Sequence, residues 1–229
     1  MNEIITRFQL STCNGRIDIN NVTAKPTATG FIIEAKGSDI TENINAILNY
    51  AYDWHSNFRE GYSIVGKGNR CGIINLCLQE RVKTKYESII GVNETYAVVR
   101  LNGKYSYIQM EGYADPYEYP EKFDDARPII NGIGVVMTDG EFGLFSADAG
   151  KVIVPCQYEW IKDFALNREY TAFKEDDLWG LINKEGEILL KPTFESIKSG
   201  NNGFIGKIGD DEYQCAPDGS YYKLVYNYQ

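Results

Sequence analysis

Adjacent aspartates are the residues in this sequence best suited to acid–base chemistry or to cation binding. The three pairs are Asp124-Asp125, Asp176-Asp177 and Asp210-Asp211. Two carboxylates held in a cleft can hydrolyse a glycosidic bond, so each pair is a candidate for glycoside chemistry. Two of the pairs, however, fall at a recurring hairpin turn, where local backbone geometry favours aspartate. We therefore expect these pairs to be structural rather than catalytic.

Other reactive side chains are sparse. His55 is the only histidine, so a histidine-rich metal site is excluded and a catalytic triad would have to be built around this one residue. The five cysteines are scattered and form no C-x-x-C pair, which is typical of reduced thiols in the cytoplasm. No glycine-rich loop ends in the lysine that phosphate-binding loops require. The sequence predicts a non-enzymatic, cytoplasmic protein without a cofactor or a bound metal.

Negative charge is concentrated in the second part of the chain. Residues 101–229 carry 12 basic and 22 acidic side chains, whereas residues 1–100 carry 11 and 10. An acidic surface repels nucleic acid and attracts basic proteins, although it also simply keeps a repeat protein soluble. The start of the chain does not have the pattern of a signal peptide, and no run of eighteen apolar residues occurs. We expect no binding to nucleic acid and no membrane association.

Five segments of the chain have the same hairpin pattern: an apolar strand, a two-residue turn, and a second strand. They are residues 68–75 (GNRCGIIN), 102–109 (NGKYSYIQ), 139–146 (DGEFGLFS), 176–183 (DDLWGLIN) and 210–217 (DDEYQCAP). Their starts are 34, 37, 37 and 34 residues apart. Pairs such as Asn-Gly and Asp-Gly tolerate the positive φ angles that tight hairpins need. Repetition at this period indicates a repeat architecture.

A second block, an aromatic residue followed by an acid, recurs downstream of four of these turns. Its copies are residues 86–89 (YESI), 123–126 (FDDA), 158–161 (YEWI) and 194–197 (FESI). Proline precedes three of them and is expected to end the strand before it. The pattern predicts an all-β repeat protein, an array of three-stranded antiparallel hairpin units of about 34–37 residues.

The best copy resembles the WG-repeat family. Residues 179–186 (WGLINKEG), followed by Pro192 and by Phe194-Glu195, match the family pattern of an aromatic residue and glycine, two hydrophobic residues, a turn, and an aromatic–acid block. The resemblance extends over about residues 50–225, with weaker copies near Cys71 and Tyr105. It implies a β-repeat scaffold used for interactions, in a family that is mostly bacterial, and it implies no catalytic motif.

The first residues differ from the rest and predict a cap. Residues 1–56 contain three strand-like runs, and residues 38–54 have the pattern of one amphipathic helix beginning after Asp39. We expect this β/α region, which could itself be a degenerate repeat, to close the end of a repeat array. The array is formed by residues 57–229 and contains about four repeats and a C-terminal half repeat. The helix could instead bind a partner. Three strands per unit favour an open array over a small propeller, whose blades normally have four strands.

Departures from the repeat pattern indicate where a partner binds. Phe123 follows Ser106 by 17 positions, whereas Tyr86 follows Gly72 and Phe194 follows Gly180 by 14; the three extra residues lie in the segment 110–123, which alternates tyrosine with acid. Tyrosine gives large contact area at low entropic cost, and carboxylates complement a basic surface. Its candidate partner-binding residues are Tyr113, Asp115, Tyr117, Glu118 and Tyr119. The alternative is a divergent turn whose tyrosines fold back onto the array.

Trp160 is the second departure. Its equivalents in the other copies are Ser88, Asp125 and Ser196, which are polar and expected to be exposed. An exposed tryptophan is a frequent binding anchor, although packing against an adjacent repeat would also explain it. Phe142, Tyr158, Trp179 and Phe194 recur at the structural period and are predicted to lie in the core.

The resulting hypothesis is a non-enzymatic interaction module that binds a protein partner. The acidic surface favours a basic partner, so the chain could be an inhibitor or an immunity-type protein that neutralises a toxin. The alternative is a small-ligand or glycan-binding module that stacks rings on exposed aromatic residues. Salt separates the two, because it weakens association with an acidic protein-binding face and has little effect on glycan binding.

Overall fold

The protein is described by a computed structural model that covers residues 20–27, 30–36, 48–49, 51–76, 78–93, 95–110, 115–200 and 202–225. This part of the chain is almost entirely antiparallel β structure, as the sequence predicts. Leu48, Asn49 and Ala51 are helical, and most of the predicted helix lies outside the described residues. Its predicted end is wrong, because Trp54 begins a strand. In the described ranges, no helical segment combines the length and apolar character needed to cross a bilayer.

The strands form one two-stranded sheet and five four-stranded sheets within the described residues. The two-stranded sheet pairs β1 (Asn20–Thr27) with β2 (Gly30–Lys36). Sheet 1 contains β3 (Trp54–His55), β4 (Tyr62–Lys67), β5 (Arg70–Asn75) and β6 (Glu80–Tyr86). Sheet 2 contains β7 (Ser88–Ile90), β8 (Tyr96–Leu101), β9 (Lys104–Gln109) and β10 (Tyr117–Glu118).

Sheets 3 to 5 continue the series in chain order. Sheet 3 contains β11 (Asp125–Ala126), β12 (Ile133–Thr138), β13 (Glu141–Ser146) and β14 (Lys151–Tyr158). Sheet 4 contains β15 (Trp160–Ile161), β16 (Tyr170–Glu175), β17 (Leu178–Asn183) and β18 (Ile188–Phe194). Sheet 5 contains β19 (Ser196–Gly200), β20 (Gly203–Ile208), β21 (Asp211–Cys215) and β22 (Tyr221–Lys223).

The chain divides into two compact units. One consists of Met1–Asn102 and Ile108–Tyr117, and the other of Gly103–Tyr107 and Glu118–Gln229. Sheet 1 lies in the first unit, and sheets 3 to 5 lie in the second. In the second unit, Phe173 and Ile182 of sheet 4 share a core with sheet 3, whereas Ala172 and Leu181 share a core with sheet 5.

Each repeating sheet has four strands, not the predicted three. The additional strand is short and comes from the aromatic–acid block, which is divided between two sheets. Tyr158 ends β14 in sheet 3, Glu159 follows, and Trp160 begins β15 in sheet 4. In sheets 1, 3 and 4 this strand has only two residues, too few to show an alternating hydrophobic pattern, so the sequence pattern missed it.

The tight turns have the backbone geometry that their residues predict. At the turn after β12, Asp139 has a φ of 54° and Gly140 a φ of 87°. The turn after β20 is one residue earlier than the sequence pattern suggested. Ile208 pairs with Asp211, so Gly209 and Asp210 form the turn instead of the aspartate pair.

The acid of each block caps the hairpin turn of the sheet that it enters. The Asp124 carboxylate accepts a hydrogen bond from the backbone N–H of Asp139 at 2.9 Å, while its own backbone N–H donates to the Met137 carbonyl at 2.8 Å. In the other repeats, the carboxylate likewise accepts a hydrogen bond from a backbone N–H of the turn. The acceptor and donor residues are Asp53 and Gly68, Glu87 and Asn102, Glu159 and Asp177, and Glu195 and Gly209. The acids therefore have a structural role in every repeat, and Asp53 reveals a fifth copy of the block that the sequence reading assigned to the helix.

The repeating glycine makes room for the backbone of the neighbouring strand. A Cβ on Gly143 would lie 2.4 Å from the carbonyl oxygen of Val154, where the pairing of β13 with β14 shifts register. Pro155 lies inside β14 rather than ending the preceding strand, which corrects the expectation drawn from the prolines. An edge strand with a register shift tolerates a residue that has no N–H to donate.

Candidate functional site

The tyrosine–acid segment does not form one exposed cluster. Tyr113 lies outside the described residues. Asp115 and Tyr117 are exposed and belong to the first unit. Glu118 belongs to the second unit, where its carboxylate accepts hydrogen bonds from Ser106 and Lys122.

Tyr119 is a core residue. Its side chain is 5% exposed, its hydroxyl donates to the Ala147 carbonyl at 3.0 Å, and its ring meets Phe145 edge-on at 5.1 Å between centroids. A partner cannot contact a ring in this position without unfolding part of the sheet. Tyr119 thus folds back onto the array, as the alternative interpretation of this segment proposes.

Trp160 is 43% exposed, as its polar equivalents predicted. The register of sheet 4 places it opposite Lys174, which in turn lies opposite Trp179. A lysine is thus flanked by two tryptophans in one row across three strands. Strands are about 4.8 Å apart, so the two tryptophan backbones are separated by about 10 Å.

Trp160 is held in place by Phe142 of β13 and by Arg127, which directly follows β11. Its ring packs on Phe142 with 4.7 Å between centroids, and the Arg127 guanidinium lies 4.6 Å from the centre of the indole. The Nη1 group of Arg127 also donates to the Ile161 carbonyl at 2.9 Å and to the Asp163 carboxylate at 2.8 Å. The exposed indole is therefore preorganised, which is a property of binding anchors.

Trp179 is the functional candidate that the sequence reading missed. Phe142, Tyr158 and Phe194 are buried as predicted, but Trp179 is only half-buried. The ammonium group of Lys162 lies 5.2 Å from the centre of its ring. Trp179 recurs at the structural period like Phe142, so period alone could not identify it. The feature that distinguishes Trp179 from Phe142 is its position opposite Lys174 rather than opposite an apolar residue.

A broad, shallow depression of about 460 Å³ lies between these residues and is lined by Glu159, Trp160, Lys174 and Trp179. The Lys174 ammonium donates to the Asp177 carboxylate at 2.6 Å and lies 2.8 Å from Glu159. These bonds to Asp177 and Glu159 raise the pKa of Lys174, and the bond from Lys174 lowers the pKa of each carboxyl. All three groups are therefore charged at neutral pH.

The carboxylates around the depression face solvent more than the cations do. The side chains of Glu159, Asp163 and Asp177 are 43%, 62% and 92% exposed. Those of Arg127 and Lys174 are only 19% and 25% exposed. An approaching molecule thus meets partly exposed indole rings and carboxylates that are more exposed than the cations paired with them.

In the part of the chain that the structure describes, no three His, Cys, Asp or Glu side chains come together in a way that could hold a metal ion. His55 is half-buried in β3, and its Nδ1 lies 3.1 Å from the Ser56 carbonyl.

Residues 148–179, and again residues 179–206, match the family described as WG containing repeat. These two segments are WG repeats. The four residues that line the depression all lie within them, and the second WG repeat begins at Trp179 itself. The resemblance expected for residues 50–225 is thus shown for residues 148–206.

Solved structures give only a distant likeness. The chain is 14% identical to KlHsv2 with loop 6CD replaced by a Gly-Ser linker, over 74% of this chain and 67% of that one, with a TM-score of 0.43. It is 12% identical to Kluyveromyces lactis Hsv2, over 66% of this chain and 57% of that one, with a TM-score of 0.40. A catalytically inactive virginiamycin B lyase from Staphylococcus aureus is 18% identical, over 76% and 70%, with a TM-score of 0.34. Scores this low support no argument about function, and no curated relative matches the sequence.

Proposed function

We propose that this chain is a non-enzymatic interaction module that binds a basic protein partner, with Trp160 as the anchor of the contact. The WG repeats and the antiparallel β-repeat fold support a binding module. An inhibitor or an immunity protein that neutralises a basic protein is one role that fits this proposal.

The observation that carries the proposal is an exposed, immobilised indole beside outward-facing carboxylates. Binding hot spots are enriched in tryptophan and lie where little ordering entropy is lost. Trp160 meets this description because Phe142 and Arg127 fix its ring in the free protein. The exposed carboxylates of Asp163 and Asp177 add complementarity to a cationic surface.

The net charge of the second half of the chain supports the same choice of partner. Residues 101–229 carry ten more acidic than basic side chains, 22 against 12. A field of this sign accelerates encounter with a basic protein, and the acceleration falls as salt screens it. Added salt should therefore slow association of the partner.

The test uses two tryptophans at the same position of the repeat. Trp54 in β3 is equivalent to Trp160 in β15 and is 47% exposed. The immobilised wild-type chain, Trp160→Ala and Trp54→Ala would be exposed to lysate of the source cell at about 50 mM and about 500 mM salt, and retained proteins identified by mass spectrometry. The purified partner would then be titrated against all three chains.

We expect a basic protein that is retained by the wild-type chain and by Trp54→Ala, lost from Trp160→Ala, and slower to associate at high salt. Equal binding to all three chains would show that Trp160 is not the anchor. Binding of a glycan or another neutral ligand that is unchanged by salt would instead support the small-ligand alternative.

A further inference from the structure

We propose that the depression between Trp160 and Trp179 receives an arginine side chain of the partner. This inference rests on the proposed function, and it names the chemical group that the site recognises. A guanidinium is planar and cationic, so it can stack on an indole while donating to carboxylates at its edge.

The protein itself shows how this surface holds a guanidinium. Arg127 lies 4.6 Å from the centre of the Trp160 ring and at the same time donates to the Asp163 carboxylate at 2.8 Å. A cation–π contact and a charge-assisted hydrogen bond thus act together on one planar group. The depression offers the same two elements again, with two indole walls and the carboxylates of Glu159 and Asp177 beside them.

The carboxylates have capacity for another donor. Glu159 accepts from the Asp177 backbone N–H through Oε1 and pairs with Lys174 through Oε2. Within the described residues, the Asp177 carboxylate accepts one hydrogen bond, from Lys174 to Oδ1. An ionised carboxylate accepts about four hydrogen bonds, so both groups can bind a guanidinium without releasing Lys174.

A lysine is a poorer occupant of this depression. Lys162 shows the lysine version of the contact, with its ammonium 5.2 Å from the centre of the Trp179 ring. An ammonium is a point charge without a flat face, so it gains less from two facing indoles and cannot donate in a bidentate manner.

Small probes test the inference on the full-length chain. N-acetyl-arginine methylamide, the lysine analogue and the neutral citrulline analogue would each be titrated, and the indole N–H signals of the three tryptophans followed by NMR. We expect saturable shifts at Trp160 and Trp179 but not at Trp54, with the arginine probe binding about fivefold or more tightly than the other two.

Two conservative variants identify the acids that recognise the probe. Glu159→Gln keeps the oxygen that caps the turn, and Asp177→Asn keeps a side chain suited to its φ of 63°. Each should weaken the arginine probe about tenfold because one charge-assisted bond is lost. Glu195→Gln removes the equivalent turn-capping charge in sheet 5, away from the depression, and should leave binding unchanged.

The outcomes separate this inference from the proposed function. Equal binding of the lysine probe, or of the citrulline probe, would overturn the arginine inference. The same holds if no probe shifts Trp160, or if Glu195→Gln weakens binding as much as Glu159→Gln. In any of these cases, loss of the protein partner on Trp160→Ala would leave the interaction function standing.

Discussion

The carboxylate of Glu159 accepts a hydrogen bond from the backbone N–H of Asp177 at 2.9 Å, although the two residues are 18 positions apart in the chain. Glu159 lies between sheets 3 and 4, and Asp177 lies in the hairpin turn of sheet 4. The bond therefore ties the entry of the chain into a sheet to the tip of that sheet. It also brings the acid next to Trp160 and Lys174, so one side chain has both a structural position and a place in the candidate site.

Acid should destabilise the fold through these capping carboxylates. The hydrogen bond from Lys104, and then that from the Asp139 backbone, lower the pKa of Asp124; Lys174 and the Asp177 backbone do the same for Glu159. A carboxyl with a lower pKa in the folded state stabilises the fold above its unfolded pKa, and this stabilisation is lost as pH falls through the folded value. We expect the free energy of unfolding in urea to decrease below about pH 4.

The matched variant for this prediction is Asp124→Asn with Glu159→Gln, which keeps an acceptor for each turn and removes the titration. Its free energy of unfolding should depend less on pH in the same range. An unchanged dependence would show that other acids cause the loss of stability.

Substitution of Gly180 should strain sheet 4. An added Cβ would lie 2.4 Å from the Leu190 carbonyl oxygen, which is backbone and cannot move aside. We expect Gly180→Ala to lower the free energy of unfolding by about 1–3 kcal/mol, measured by urea denaturation. In Gly200→Ala the nearest atoms belong to the flexible side chain of Ile205, at 3.1 Å, so the loss should be smaller. Equal losses would contradict the explanation of the repeating glycine.

Removal of the Tyr119 hydroxyl should cost stability rather than binding. Tyr119→Phe removes one buried hydrogen bond to the Ala147 carbonyl, which still accepts from the Gly150 N–H at 3.2 Å, and we expect a loss of about 0.5–1.5 kcal/mol in thermal or urea unfolding. Tyr222→Phe alters an exposed ring and should change stability by less than about 0.5 kcal/mol. A Tyr119→Phe chain of wild-type stability that no longer binds the partner would return this residue to the binding surface.

Replacing Arg127 should loosen the Trp160 ring, because the guanidinium lies against both Phe142 and Trp160. Arg127→Lys keeps the charge but loses the planar guanidinium, so we expect a loss of about 1–2 kcal/mol and a shift of the Trp160 indole N–H signal in NMR. Arg70→Lys changes an exposed ion pair with Glu87 at 3.5 Å and should have almost no effect on stability. If both variants behave alike, the Arg127 guanidinium does not hold the indole.

The repeats could be predicted from sequence because their signals are local. Asn102-Gly103 and Asp139-Gly140 close hairpins through their own backbone preferences, and the structure shows positive φ at all four residues. The turn-capping bonds could not be predicted in this way. They join residues 14 to 18 positions apart, and their geometry exists only after the sheet has formed.

The candidate site was predictable in part for the same reason. Trp160 stood out because its equivalents in the copies recognised from the sequence, Ser88, Asp125 and Ser196, are polar. Tyr119 and Tyr117 look alike in the sequence, yet only Tyr117 is exposed, because the Ala147 carbonyl and Phe145 that receive Tyr119 come from a distant part of the chain.

The division of each aromatic–acid block between two sheets has a consequence for how such a chain gains or loses repeats. Successive capping acids are 34 to 37 residues apart, so a segment from one acid to the next contains one complete turn and the carboxylate position for the following one. Recombination between two copies of the block would insert or delete such a segment without leaving any turn uncapped. Repeat number can therefore change in a single genetic event while every hairpin keeps its partner.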